Sequence, residues 1–386
     1  MKPIRLGVIG VGAMGTYHAQ QLAAGKVPRA ELTAVCDRDP AQLAKFPGVR
    51  TFAQHTDLLQ AGVVDAVLIA TPHYDHTTIG IAALQQGLHV LVEKPISVHK
   101  ADCERLIAAA HPGQVFAAML NQRTDPYYER IRQLVQAGEL GALQRLQWTI
   151  TDWFRSDLYY ASSPWRATWA GEGGGVLLNQ ATHNLDLWQW MFGLPVRVRA
   201  RCGFGRHHAI EVEDDVTAVM EYANGATGVF ITSTGEAPGL NRLEVVGDRG
   251  RVVYENNVLL VTRNAVASGE FSRQSDKFYD LPAQQTQRVE FPDHGGQHLA
   301  VVRNFVAAIL DGEPLIAPAA EGTGAVELAN AMIWSALRDA PVTLPLDSAG
   351  YQQQLQQLVQ HSRAKQSLAH KTHDEVAPYL VKENAL

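Results

Sequence analysis

Several features that mark specialised classes of protein are scarce in this chain or missing from it. Cysteine occurs only three times in 386 residues, as Cys36, Cys103 and Cys202, and no CxxC pair is present. An odd, scattered set argues against a disulfide framework or a structural zinc site and fits a reducing compartment. No run of Lys or Arg interrupts a net charge of -6, so neither nucleic acid nor an anionic membrane is offered a basic footprint. No apolar run approaches the roughly 20 residues of a membrane helix. The opening MKPIRLGVIG enters a strand-like segment directly, without an apolar signal core or a cleavage site. The expectation is a cytoplasmic protein whose partner is a small polar molecule.

What remains is globular in composition, with 46% hydrophobic and 19% charged residues, and long enough for about two domains. Short apolar runs at 4–9, 31–36, 65–69, 88–92 and 115–119 alternate with helical patterns at 14–25, 40–45, 75–87 and 99–110. That alternation predicts a doubly wound parallel sheet covered on both faces. Beyond about residue 140, strand-like runs follow one another at 143–153, 196–204, 213–223, 226–234, 242–247 and 250–255. They predict a large, mostly antiparallel sheet, with helices at 174–192, 296–311, 321–338 and 351–360. The expected domains are residues 1–122 and 123–345, followed by a helix and tail at 346–386.

Gly10-Val11-Gly12-Ala13-Met14-Gly15 stands between the first strand and the first helix. Gly10 permits the turn, Gly12 lets backbone approach a pyrophosphate, and Gly15 lets helix pack on strand, while the helix start offers N–H groups to phosphates. Asp37 follows at the end of the second strand, at the distance expected of a carboxylate that accepts from a ribose 2′-hydroxyl. It favours NAD, while the adjacent Arg38 could pair with a 2′-phosphate and leaves NADP open. Two further strand ends carry ATPHYDHT and VEKPIS. Thr71 and Pro72 would lie against the cofactor. His73, Asp75 and His76 lack convincing further ligands, so no metal is expected. Glu93 can pair with Lys94 or with the ribose, and a desolvated Lys94 is suited to catalysis.

The stretch GGGVLLNQATHNLD, residues 173–186, places Asn179, His183 and Asp186 along one face of its predicted helix. The segments GVIGVGAMG, CDRDP, ATPHYDH, HVLVEKPIS and GGGVLLNQATHNLD together resemble the Gfo/Idh/MocA oxidoreductases. The resemblance implies an N-terminal Rossmann domain and a C-terminal α/β domain whose open sheet makes a homodimer or homotetramer. It implies that Lys94 and His183 are catalytic, with His183 moving the proton and Lys94 holding the reacting oxygen. Asn121, His76, Trp165 and Arg166 would border the cofactor. Many relatives carry Asp where this chain has Asn179; an amide cannot titrate there, but it can hydrogen-bond a substrate hydroxyl.

The expected reaction is hydride transfer between nicotinamide and a secondary alcohol or ketone of a sugar, glycoside or cyclitol. Substrate contacts are expected from Lys94, Trp153, Arg166, Asn179 and His183. Trp153, Tyr159, Tyr160, Trp165 and Trp169 could face sugar rings or pack between loops and sheet. Arg123, Arg155 and Arg166 could hold a carboxylate. Asp186 could orient His183 or only satisfy its helix, whereas His207, His208 and His298 read as structural. Two other functions stay open: a redox-assisted glycosidase using NAD, and a non-catalytic dinucleotide-binding regulator.

Overall fold

The computed structural model describes residues 2–363. The tail expected beyond residue 363 therefore lies outside the described residues. The first sheet holds β1 (Ile4–Ile9), β2 (Ala30–Cys36), β3 (Arg50–Phe52), β4 (Ala66–Ile69), β5 (His89–Val92) and β6 (Phe116–Ala118). Between them run α1 (Ala13–Ala23), α2 (Pro40–Leu43), α3 (His55–Gln60), α4 (His73–Gln85) and α5 (Lys100–Ala108). The strand order is β3-β2-β1-β4-β5-β6, with every pair parallel. The order reverses between β1 and β4, the crevice where a doubly wound sheet takes its ligand. The central strands are mostly apolar and buried on both faces, Arg5 and His89 near their starts being half-buried, as the sequence pattern requires.

After a 3-10 turn at Asn121–Thr124, α6 (Pro126–Gln136) leads into β7 (Leu143–Ile150). Then come α7 (Asp157–Ala161), α8 (Thr182–Phe192), β8 (Arg197–Phe204), β9 (Glu213–Glu221), β10 (Thr227–Ser233), β11 (Asn241–Gly247), β12 (Gly250–Glu255) and β13 (Val258–Asn264). The described residues continue with α9 (Ser268–Gln274), β14 (Gln284–Val289), α10 (Gln297–Asp311), α11 (Thr323–Arg338), β15 (Val342–Thr343) and α12 (Ser348–Gln360). The second sheet runs β14-β13-β12-β11-β7-β10-β9-β8-β15. Its strands pair antiparallel except β7 with β10. Side chains alternate along these strands, so one face is packed and the other stays open. Trp188 of α8 fits edge-on against Phe230 of β10, ring centroids 5.9 Å apart, on the packed face. Helix α10 returns to the first sheet, where Val301, Val302, Phe305 and Val306 join Leu6, Val8 and Leu91 in one core.

One element departs from expectation. The helix predicted at 174–192 begins only at Thr182, so Asn179 lies on a turn and not on the helix face of His183. Glu213 explains the delay. Its carboxylate accepts from Gly175 N at 2.8 Å and Leu177 N at 3.1 Å, and its carbonyl accepts from Val176 N at 2.9 Å. Gly173 adopts φ +79°, a left-handed geometry that favours glycine. A Cβ on it would lie 2.0 Å from Val98 Cγ1, and one on Gly175 would lie 2.0 Å from Glu213 O. Gly173 and Gly175 thus wedge the turn between the segment after β5 and the second sheet.

Candidate functional site

Two walls meet at the carboxyl edge of the first sheet. The first is the glycine loop. Gly10 has φ +83°, and a Cβ there would collide with Ala70 O at 2.7 Å. A Cβ on Gly15 would overlap Gly10 O at 1.7 Å, so helix and turn meet only because Gly15 lacks a side chain. Gly12, by contrast, faces open space within 4 Å, and α1 begins with Ala13 and Met14 directly after it. The Asp37 carboxylate braces this loop by accepting from Val11 N at 2.8 Å and Asp39 N at 2.9 Å. Arg38 is exposed beside it. Thr71 Oγ1 and Asn121 Oδ1 are buried acceptors without a partner among the described residues. An open glycine backbone at a helix start, with unsatisfied polar atoms at neighbouring strand ends, fits a dinucleotide.

Behind the loop is a buried polar cluster. Glu93 Oε1 meets His18 Nε2 at 2.7 Å, while Glu93 Oε2 accepts from Lys94 N at 3.1 Å. Burial alone would raise the Glu93 carboxyl, but the His18 hydrogen bond and the charges of His18, His298 and Lys94 outweigh it and hold the group at about 2. Of the two roles open to Glu93 in the sequence, pairing is thus directed to His18 and not to the Lys94 ammonium. His76 sits between strand ends, with Nδ1 2.8 Å from Pro95 O and Nε2 2.8 Å from Thr71 O. Pro72 caps α4 immediately before it.

The glycine turn supplies the second wall. Lys94 Nζ reaches across to donate to Asn179 O at 2.9 Å. His183 lies in the first turn of α8, and its Nδ1 is buried without a partner among the described residues. Burial, then the charges of Lys94 and His298, push the His183 pKa well below its ordinary value, so the imidazole is neutral. Lys94, Asn179 and His183 therefore converge although the sequence separates them. Trp165 stands edge-on to His73 at 5.6 Å, and the Arg166 guanidinium lies 4.8 Å over the Trp165 ring and 4.5 Å over Tyr159. Arg166 Nη1 also donates to Tyr159 Oη at 2.7 Å.

A small, water-sized cleft is lined by Gln122, Asp152, Trp153, Asn241, Gln297 and Asn184, the residue after His183. Among the described residues, both side-chain polar atoms of Asn184, Trp153 Nε1 and Gln122 Oε1 are buried without partners. Gln297 joins the cleft to the cofactor side by accepting from Asn121 Nδ2 at 2.7 Å. Two possibilities that the sequence leaves open are closed by the contacts here. Asp186 does not orient His183: it takes a two-pronged contact from Arg123, at 2.8 and 2.7 Å. Arg123, fully buried and also paired with Glu321, is thereby spent and does not await a substrate carboxylate. His18, His298, Glu172 and Asn184 belong to the site without having been singled out for it. Only His18 carries a local signal, one turn beyond Gly15 on α1.

Residues 4–119 match the family model described as "Oxidoreductase family, NAD-binding Rossmann fold", and residues 128–253 match "GFO/IDH/MocA C-terminal domain". The chain is 26% identical to myo-inositol 2-dehydrogenase of Thermotoga maritima over 66% of its own length and 75% of the relative's. It is 24% identical to levoglucosan dehydrogenase of Pseudarthrobacter phenanthrenivorans, covering 90% of this chain and 100% of the other. Among solved structures, the WlbA dehydrogenase of Bordetella pertussis, in complex with NADH and UDP-GlcNAcA, superposes with a TM-score of 0.75. That match has 25% identity and covers 89% of this chain and 100% of the other.

Proposed function

The chain belongs to the Gfo/Idh/MocA family of NAD-binding oxidoreductases, and from that premise we propose that it interconverts a secondary alcohol and a ketone on a sugar, glycoside or cyclitol. The convergence of Lys94, Asn179 and His183 opposite the glycine loop carries this reading. Bound NAD would supply the hydride acceptor. Gly10, Gly12, Ala13, Met14 and Gly15 would cradle its phosphates, and Asp37 would take the ribose hydroxyls, with a carboxylate there disfavouring NADP despite Arg38. Thr71, Pro72, His76, Glu93, Asn121, Trp165 and Arg166 would border the rest.

His183, neutral in the free protein, takes the hydroxyl proton on a ring nitrogen. The Lys94 ammonium stabilises the negative charge growing on the same oxygen. Asn179 holds a neighbouring hydroxyl through its amide, a contact that suits a polyol better than an apolar alcohol. Relatives named for inositol and levoglucosan point to the same substrate class. We place the protein in the cytoplasm as a homodimer or homotetramer joined through the open face of the second sheet. In the described residues, no helix is long and apolar enough to cross a membrane.

The test is spectrophotometric. Purified protein is given NAD or NADP with a panel of sugars, glycosides and inositols, and reduced cofactor is followed. Turnover should appear with NAD and fall by roughly 1000-fold or more in the Lys94→Ala/His183→Ala variant. Undiminished turnover in that variant would overturn the assignment. Cofactor binding without any turnover would favour a regulator, and aglycone release without net reduction a glycosidase.

A further inference from the structure

Asn179 is an amide pressed against a carboxylate. Its Nδ2 donates to Glu172 Oε1, and Glu172 Oε2 accepts from Ala167 N at 2.6 Å. Glu172 is only 2% exposed, so this contact is shielded from water. An ionised carboxylate can only accept, and an amide is a fork with one donating and one accepting prong. The nitrogen prong is committed to Glu172, which leaves Oδ1 to accept from a substrate hydroxyl. Meanwhile the Asn179 carbonyl accepts from Lys94 Nζ at 2.9 Å, so one residue links the lysine to Glu172.

We propose that Glu172 is a positioning residue: it polarises Asn179 so that the amide presents an oxygen to substrate, and residues 172 and 179 work as a pair that carries one negative charge. The inference rests on the dehydrogenase reading for what Asn179 contacts, but the pairing stands on the contacts alone. It accounts for the amide. A carboxylate at 179 would face the Glu172 carboxylate in a buried setting, where two such groups cannot both ionise near neutral pH. Arg166 and Lys94 are the cations acting on Glu172, and Glu213 already adds a carboxylate nearby. Tyr160 also lies within its field, and His73 meets the Glu172 carbonyl at 3.3 Å.

Three variants test the pair: N179D, E172Q and the double variant. Each is followed by thermal unfolding from about pH 5 to about pH 9 and by kcat/KM across the same range. N179D should lose stability progressively as pH rises, because one of its facing carboxyls has a raised folded pKa. Its kcat/KM should fall roughly 10- to 100-fold with a new ionisation in the profile. E172Q should lose less, roughly 3- to 10-fold, because the amide is still held but no longer in a single orientation. The double variant restores one charge and one donor, and should remove the extra pH slope and recover to within a few-fold of native. Refolding of an otherwise unfolded N179D by added E172Q would also support the pair. Unfolding curves of N179D parallel to native at every pH, or single losses that simply multiply in the double variant, would overturn it. If the native protein turns over nothing in the panel, the dehydrogenase reading falls, and the unfolding series still decides the pair.

Discussion

Buried carboxylates flank the site on two sides, and they are held in opposite ways. Toward the first sheet, Glu93 faces His18, and where the sheets join, Asp186 faces Arg123. Against the glycine turn, Glu213 of β9 accepts from backbone amides, and Glu172 accepts from an amide N–H and the Asn179 side chain. All four are almost inaccessible to water. Glu93 is nevertheless held at about 2, whereas burial pushes Glu213 up to about 7 and raises Glu172 despite the charges of Arg166 and Lys94. Burial alone disfavours every carboxylate; a cation in contact reverses the sign, and amide donors only moderate it. Glu93 is therefore a fixed charge, whereas Glu213 titrates near neutral pH.

The cationic side breaks most severely when a partner is removed. Asp186→Ala would strand the Arg123 guanidinium, which is fully buried, with Glu321 as its remaining carboxylate. The expected cost is about 3–5 kcal/mol, read as a lower midpoint in denaturant unfolding. A cost below about 1 kcal/mol would mean that Glu321 alone suffices and that this side is less constrained than its geometry implies.

The cofactor side of the site was legible in the sequence because its signals are local. Strand, glycines and helix identify the loop within a dozen residues, and Asp37 and Lys94 are fixed by ending strands of the same sheet. The glycine turn was legible in composition but not in shape: Glu213, which captures the amides of Gly175 and Leu177, comes from β9 and leaves no mark on the segment itself. For the same reason Asp186 could not be matched to Arg123, 63 residues away. His298 reached the cluster because α10 returns to the first sheet, a long-range event that periodicity does not encode. Helix α6 did have a local signature, an Asp125 cap followed by Pro126, that apolar periodicity passes over. In the second sheet β13 and β14 follow the predicted strands, and β14 is mostly exposed, so its apolar pattern is weak.

A smaller effect is expected from neutralising the fixed charge. Glu93→Gln keeps an acceptor for His18 but removes the ion, at a cost of about 2–3 kcal/mol near neutral pH. The sign follows from the depressed pKa: ionised Glu93 stabilises the fold above the unfolded value of 4.5, and that contribution is lost as pH falls through about 2. Native and variant melting curves should therefore converge on acidification. Because the Glu93 charge also raises the His183 pKa, the variant's kcat/KM profile should shift its acid limb to lower pH. A constant gap between the melting curves at all pH values would show that the ion is not what Glu93 contributes.

The smallest effect should come from the opposite wall, with the opposite sign. Glu213 rises from 4.5 in the unfolded chain to about 7 in the fold. Its stabilising contribution is complete below 4.5 and is lost as pH rises through about 7. Glu213→Gln preserves an oxygen for the amides of Gly175 and Leu177, and puts an uncharged group where Oε2 has no partner. The variant should match native near pH ~5 and exceed it by about 1–2 kcal/mol near pH ~8, measured by unfolding at both. Turn geometry is retained, so Asn179 and His183 stay in place and the gain should come without a change in substrate preference. Equal stability at the alkaline end would mean that the amides and the second sheet solvate the Glu213 carboxylate well enough to ionise it, and the contrast between the two walls would shrink to the Asn179–Glu172 pair.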